Sequence, residues 1–268
     1  MIDSHGSSIR LKMMLFLVLG FMSLLAAKDP YYPFAQVVRP KLFPVTPLQR
    51  LENSFPDDVT LGFAGNRGKA DQVLMTLEIQ EQGTVAEIYD RSEQPIRGPV
   101  LVSRLHNPGN GYVADLNGDK KLDYVIDVWS GGNGIAAAIC ETVFFLSNPS
   151  GYSILVVNSW APEKEDFLDL LGNGHCQLLH RSFIDGDPIT GKDGRVHNHW
   201  VYNLLEVVED RLELRNSAAS GFPKWILYTF RENHEATDQL TVDQKNRLWK
   251  AQVKCLFWPL EEPRDCVL

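Results

Sequence analysis

Cysteine is scarce in this chain: four residues in 268, with no pair spaced Cys-x-x-Cys. A zinc ribbon or a thioredoxin-like redox motif is therefore unsupported. Positive charge is in deficit too, 26 Lys and Arg against 34 Asp and Glu, a formal net charge of −8. Binding a phosphate backbone needs a basic face, so this balance argues against a nucleic-acid partner. The chain has no Gly-x-Ser-x-Gly elbow, no His-Glu-x-x-His helix and no clear Ser/His/Asp set. Gly131-Gly132-Asn133-Gly134 runs into Ile135 and alanines and lacks the Gly-Lys-Ser/Thr ending of a phosphate loop, which leaves it as a flexible turn.

Long apolar runs are also missing, apart from one near the start. Met13 to Leu25 is apolar except for Gly20 and Ser23, follows Arg10 and Lys12, and ends at Ala26-Ala27 before a polar stretch. Its length fits the core of a signal peptide better than a membrane span, so residues 1–27 are expected to direct export. Leu25 stands where a small residue is usual before cleavage, so the alternative is an uncleaved N-terminal membrane anchor. Either way the folded part lies in the secreted, periplasmic or cell-envelope space. There the even set Cys140, Cys176, Cys255 and Cys266 permits disulfides, with Cys255–Cys266 favoured by proximity and Cys140–Cys176 depending on the fold.

Residues 28–57 carry a high density of proline, including Pro30, Pro33, Pro40, Pro44, Pro47 and Pro56. Proline bars a continuous helix or ladder, so this stretch reads as an extended linker with a short edge strand at Ala35 to Val38.

What is present is concentrated in Asp115-Leu116-Asn117-Gly118-Asp119-Lys120-Lys121-Leu122-Asp123. Oxygen-bearing side chains fall at positions 1, 3, 5 and 9 of one tight loop, the arrangement a hard cation such as Ca²⁺ uses. An EF-hand is excluded, because Lys120 and Ile126 stand where that loop wants Gly and a bidentate Glu. The following Tyr124 to Trp129 is β-branched and aromatic and reads as a strand. With a strand on its C-terminal side, the stretch resembles the calcium loop of FG-GAP and VCBS repeats, the units of integrin-α-type β-propellers. The resemblance implies Ca²⁺ held by Asp115, Asn117, Asp119 and Asp123 through side chains and by the Lys121 carbonyl. The competing reading is an Asx-rich turn whose carboxylates are met by backbone N–H groups and by Lys120 and Lys121.

Two further stretches line up with this loop. Phe63 to Asp71 precedes it by 52 positions, and Asp169 to Gln177 follows it by 54; each runs into a β-like segment. Arg67 puts a fixed cation at position 5 of the first copy, which is expected to be metal-free. Asp169, Asn173 and Gln177 keep oxygens in the third, but a single charge. After each loop the pattern reads strand, connection, strand, turn, strand. Asn148-Pro149-Ser150-Gly151 marks the turn in the second copy and Glu209-Asp210-Arg211 in the third. The expected fold is mainly β: degenerate or incomplete propeller-like antiparallel repeats over residues 58–217, then a C-terminal extension, 218–268. That extension opens on a β-like Trp225 to Phe230 and carries a short helix after Thr241, with Thr241 and Gln244 as capping box and Val242, Leu248, Trp249 and Val253 on its apolar side.

Two smaller features stand apart. His197 and His199 alternate on a β-like stretch and share a face, which would suit a metal-dependent hydrolase; the simpler reading is a half-exposed strand. Asp185-Gly186-Asp187-Pro188 with Asp193 reads as an exposed acidic turn. Taken together these features point to binding rather than catalysis. The expectation is an exported, calcium-binding β-repeat protein with a structural, adhesive or binding role toward a protein or glycan.

Overall fold

The computed structural model describes residues 41–51, 60–64, 73–90, 92, 94–131, 140–184, 190–192, 194, 199–216, 225–228, 240–254 and 256. All of them belong to one compact unit, Tyr31–Leu268. Several expectations lie outside these residues: the export segment, the strand at Ala35 to Val38, most of the first loop copy, the acidic turn, His197, Cys255 and Cys266.

Two short strands, β1 (Thr46–Pro47) and β2 (Gln49–Leu51), come first, and three antiparallel meanders follow in chain order. The first sheet is β3 (Thr60–Ala64), β4 (Val73–Gln80), β5 (Gly83–Tyr89) and β6 (Pro95–Ser103). The middle sheet is β7 (Asn107–Ala114), β8 (Asp123–Trp129), β9 (Cys140–Asn148) and β10 (Gly151–Ser159). The third is β11 (Phe167–Leu168), β12 (Gln177–Ile184), β13 (His199–Val208) and β14 (Arg211–Leu214). β15 (Trp225–Tyr228) pairs the other half of β13, from His199 to Tyr202.

The hairpins close where the turn chemistry predicts. Asn148 pairs Gly151 around Pro149-Ser150, and the Asn148 Oδ1 accepts the Ser150 N–H at 2.8 Å. Gly83, at φ 137°, closes the β4–β5 turn, and a Cβ there would lie 2.0 Å from the Ser103 carbonyl oxygen. Only glycine fits that approach.

The middle sheet is buried on both faces through β8 and β9, and apolar residues accordingly stand at successive positions, Tyr124 to Ile126 and Val143 to Leu146, instead of alternating with polar ones. Side chains alternate between faces along a strand. Tyr124, Ile126, Val128, Val143 and Phe145 pack with Phe63, Met75, Leu77, Ile88 and Val102 of the first sheet. Val125, Phe144, Leu146 and Val157 pack with Phe167, Leu178, Leu205 and Val207 of the third. The result is a three-layer stack of sheets. It is mainly β, as the patterning predicts; no closed barrel or propeller is seen among the described residues.

The proline-rich segment differs from a linker. From Lys41 it visits each sheet in turn. Phe43 N–H bonds the Phe167 carbonyl at 2.8 Å and Asp169 N–H bonds the Lys41 carbonyl at 2.7 Å. β1 then pairs β7 of the middle sheet, Leu48 N–H bonds the Gly111 carbonyl at 2.8 Å, and β2 pairs β3 of the first sheet. Phe43, Val45 and Leu48 are buried in the cores between the layers. Proline limits each ladder to two or three residues but suits an edge. Frequent breaks let one strap, residues 41–51, cross the opening strand of all three meanders.

At the other end, α1 (Val242–Lys254) begins at the expected capping box. The Gln244 N–H bonds Thr241 Oγ1 at 3.2 Å, and the Thr241 N–H bonds Gln244 Oε1 at 2.8 Å. Its buried side is Lys245, Leu248, Trp249 and Gln252, packed with Val201 of the third sheet. Val242 is 44% exposed, because the seam runs at 245, 248, 249 and 252 and leaves the first turn in solvent. Cys140 and Cys176 are separate buried free thiols, not a disulfide.

Candidate functional site

The loop Asp115–Asp123 connects β7 to β8 and is held by its own polar side chains. Asp115 accepts the N–H of Gly118 at 2.8 Å on one oxygen and that of Lys120 at 2.9 Å on the other. Asn117 Oδ1 accepts from Asp119 N–H at 3.1 Å, and Asp119 Oδ1 accepts from Lys121 N–H at 2.8 Å. These are successive Asx turns, each taking up an amide that the tight backbone would otherwise strand. Gly118 and Lys120 both adopt left-handed φ, 80° and 68°.

Asp123 closes the loop from inside. It is fully buried; Oδ2 accepts the N–H groups of Leu116 (2.6 Å) and Asn117 (3.3 Å), and Oδ1 accepts the N–H (2.7 Å) and hydroxyl (2.8 Å) of Ser147. The Ser147 hydroxyl is shared with Asp119 Oδ2 at 3.0 Å. Asn117 Nδ2 donates to the Ser147 carbonyl at 3.2 Å and to the Glu209 carbonyl at 3.0 Å. The loop thus staples β8 to β9, and the middle sheet to the β13–β14 turn of the third.

The loop Asp169–Gln177, between β11 and β12, repeats this construction. Its fourth and sixth positions, Gly172 and Gly174, have φ 63° and 80°, as Gly118 and Lys120 do in the other loop. Leu170 N–H bonds Gln177 Oε1 at 2.7 Å, as Leu116 N–H bonds Asp123. His175 N–H bonds Asn173 Oδ1 at 3.1 Å, as Lys121 N–H bonds Asp119. Gln177 does the ninth-position task with a neutral oxygen, so the task itself is acceptance of a backbone N–H. The first position differs: Asp169 Oδ2 meets the Lys41 ammonium at 2.5 Å.

These bonds decide which residues fit a cation. A carboxylate has about four acceptor positions, and all four of Asp123's face donors. In this structure Asp123 is taken up by the hydrogen-bonded staple. Asp115, Asn117 and Asp119 spend one lone pair on each bonded oxygen and keep another, which leaves them able to accept a further donor or a cation. Among the described residues no group of three or more His, Cys, Asp or Glu is placed to hold a metal ion. Burial raises the Asp123 pKa to about 6, opposed by Ser147, Leu116 and Asn117.

His199 is buried on β13, opposite Ile184. An imidazole there is not offered to solvent. Gly131 turns at φ 74° beside the Asn107 amide.

A second buried carboxylate escaped the sequence reading. Asp127 lies on the same face of β8 as Asp123 and is 1% exposed. Neither of its oxygens has a hydrogen-bond partner. Burial raises its pKa to about 6; Asn110 and the Trp129 indole pull it back without completing hydrogen-bond geometry. The bulge in β7 opposite makes room, since a Cβ at Gly109 would sit 2.3 Å from Asp127 Oδ1. Trp129, Trp160, Trp200 and Phe183 pack in a chain at this end, with neighbouring ring centroids 4.9–6.2 Å apart. The one signal was an Asp inside the apolar run Tyr-Val-Ile-Asp-Val-Trp.

Compared with protein-family models, curated proteins and solved structures, the chain matches none.

Proposed function

We propose that this chain is an exported, calcium-binding β-repeat module with a structural, adhesive or binding role, built from degenerate FG-GAP/VCBS-type units in an incomplete propeller-like array. The observation that carries the reading is the shared geometry of the two loops, each placed before the second strand of successive meanders. Asp115, Asn117, Asp119 and the Lys121 carbonyl would hold Ca²⁺, which neutralises the outward carboxylates and tightens the loop. Asp123 keeps to its donors.

Affinity falls as charged ligands are removed, so two carboxylates place the dissociation constant on the order of 10⁻⁴–10⁻³ M, the range of extracellular modules. The net charge of −8 argues against nucleic acid, and a protein or glycan partner is the class this reading proposes. Calorimetric titration of wild type and Asp119→Ala with Ca²⁺ tests the ligand set. Wild type should show one weak site that the variant lacks. Equal heats from both, or none from wild type, would remove the calcium reading.

A further inference from the structure

The middle sheet ends on β10, which pairs β9 and no other described strand. Backbone groups alternate along an antiparallel strand, one residue bonding its neighbour and the next turning outward. The Asn158 N–H marks the outward set, since it goes to the Leu256 carbonyl at 3.2 Å. Tyr152, Ile154 and Val156 share its phase, so their N–H and C=O groups point off the edge of the sheet. Natural edges are blunted by proline, charge or a bulge. The edge strands of the neighbouring layers follow that rule: β6 carries Pro95, Pro99 and register shifts against β5, and β14 carries Arg211 and Glu213. β10 reads Gly-Tyr-Ser-Ile-Leu-Val-Val-Asn-Ser and has none of these devices. A long, uncharged edge of this kind is a template for another strand.

The edge lies in a trough. A cavity of about 620 Å³ runs beside it, with Arg97, Val100 and Leu101 of β6 on one side, Tyr152 and Ile154 of β10 along it, and Asp210 of the β13–β14 turn on the other side. Asp210 Oδ2 already accepts the Ser153 hydroxyl at 2.9 Å. Arg97 is exposed and forms no ion pair with another described residue, so the charge left unanswered in the trough is positive. Pairing β10 with a second copy of itself, about a twofold axis normal to the sheet, would set β6 toward β6 and Arg97 toward Arg97. A lone extended segment needs only the trough, and an acidic one answers its charge. We propose that the β10 edge docks an extended acidic peptide of a partner protein, added to the middle sheet as a sixth strand. Its backbone pairs Tyr152, Ile154 and Val156, its apolar side chains lie on Val100 and Ile154, and its carboxylate meets Arg97. The inference rests on the binding role proposed above, for which it names the partner class, and asks nothing of the calcium loop.

The test mixes the protein, in EGTA, with soluble octapeptides that alternate Val or Ile with Thr and carry Glu, Gln or Lys at one central polar position. Fluorescence anisotropy reads affinity, and hydrogen exchange reads the Tyr152, Ile154 and Val156 amides. The Glu peptide should bind and protect those three amides. Its affinity should exceed that of the Lys peptide by roughly five- to tenfold, an exposed attraction set against an exposed repulsion. Arg97→Glu, a change on the surface, should reverse that order. N-methylation of the peptide along its pairing side should abolish binding, because it removes the backbone donors. No binding by any of the peptides, binding that leaves the three amides unprotected, or an order unchanged in Arg97→Glu overturns the proposal. Protection that rises with protein concentration in the absence of peptide also overturns it and gives the edge to a second copy. Peptide binding by a protein that ignores Ca²⁺ leaves this inference standing while the calcium reading fails; a calcium response without peptide binding sinks this inference alone.

Discussion

Asp127→Asn should stabilise the protein at neutral and alkaline pH and lose that advantage in acid. Burial raises the Asp127 pKa from its ordinary 3.8 to about 6, so the folded state binds its proton more tightly than the unfolded chain does. For a carboxylate shifted upward, stability is greatest below the unfolded pKa. It falls as pH rises from about 3.8 to about 6 and stays at the lower level above that. Two pKa units correspond to roughly 3 kcal/mol at most. Asn keeps the shape and cannot ionise, so it escapes this loss. Its new N–H donors need acceptors in the same buried site, which returns about 1–2 kcal/mol, and a net gain of about 1–2 kcal/mol at pH 8 remains. Urea unfolding of wild type and variant from pH 4 to 8 is the assay. Other buried carboxylates, Asp123 and Asp166, titrate in both proteins and cancel in the difference. The reasoning fails if the difference in stability is flat across that range, or if it favours wild type more at pH 8 than at pH 4.

Asp123→Ala should show the opposite sign, destabilising by about 3–5 kcal/mol at neutral pH, because it strands three buried N–H groups; chemical denaturation measures it, and a loss under 1 kcal/mol would contradict the staple. Phe144→Ala, in the buried centre of the middle sheet, should cost about 3–5 kcal/mol by the same assay. Thr241→Ala should lower stability by about 1 kcal/mol through the lost cap of α1, visible as faster hydrogen exchange in the first helical turn.

The loops and meanders were legible because their signals are local. Asx residues at alternate positions, glycines at left-handed positions and two-residue turns act within a few residues, so the offset between loop copies carried the layout of the sheets. The strap was not legible, since prolines announce only that a ladder is interrupted. That Lys41, Thr46 and Gln49 serve three different sheets is a tertiary fact. The staple role of Asp123 was not legible for a different reason: a cation and a backbone N–H both seek a carboxylate oxygen, and residue type cannot separate them. Gln177 at the equivalent position held the clue, because its neutral amide oxygen accepts the corresponding N–H, that of Leu170. Asp127 was hidden in an apolar run, where its exposure depends on what covers that face of β8.

The most direct test is thermal unfolding of wild type in EGTA and with Ca²⁺ in tenfold to hundredfold excess over its dissociation constant. Asp123 and the Asx turns close the loop without metal, so the protein should unfold cooperatively from a folded state in EGTA. Ca²⁺ in that excess should add about 1.4–2.7 kcal/mol, a rise in melting temperature of roughly 3–10 °C for a chain of this size. A protein that is unfolded in EGTA would contradict the hydrogen-bonded staple, and identical melting in the two conditions would contradict calcium binding at Asp115, Asn117 and Asp119.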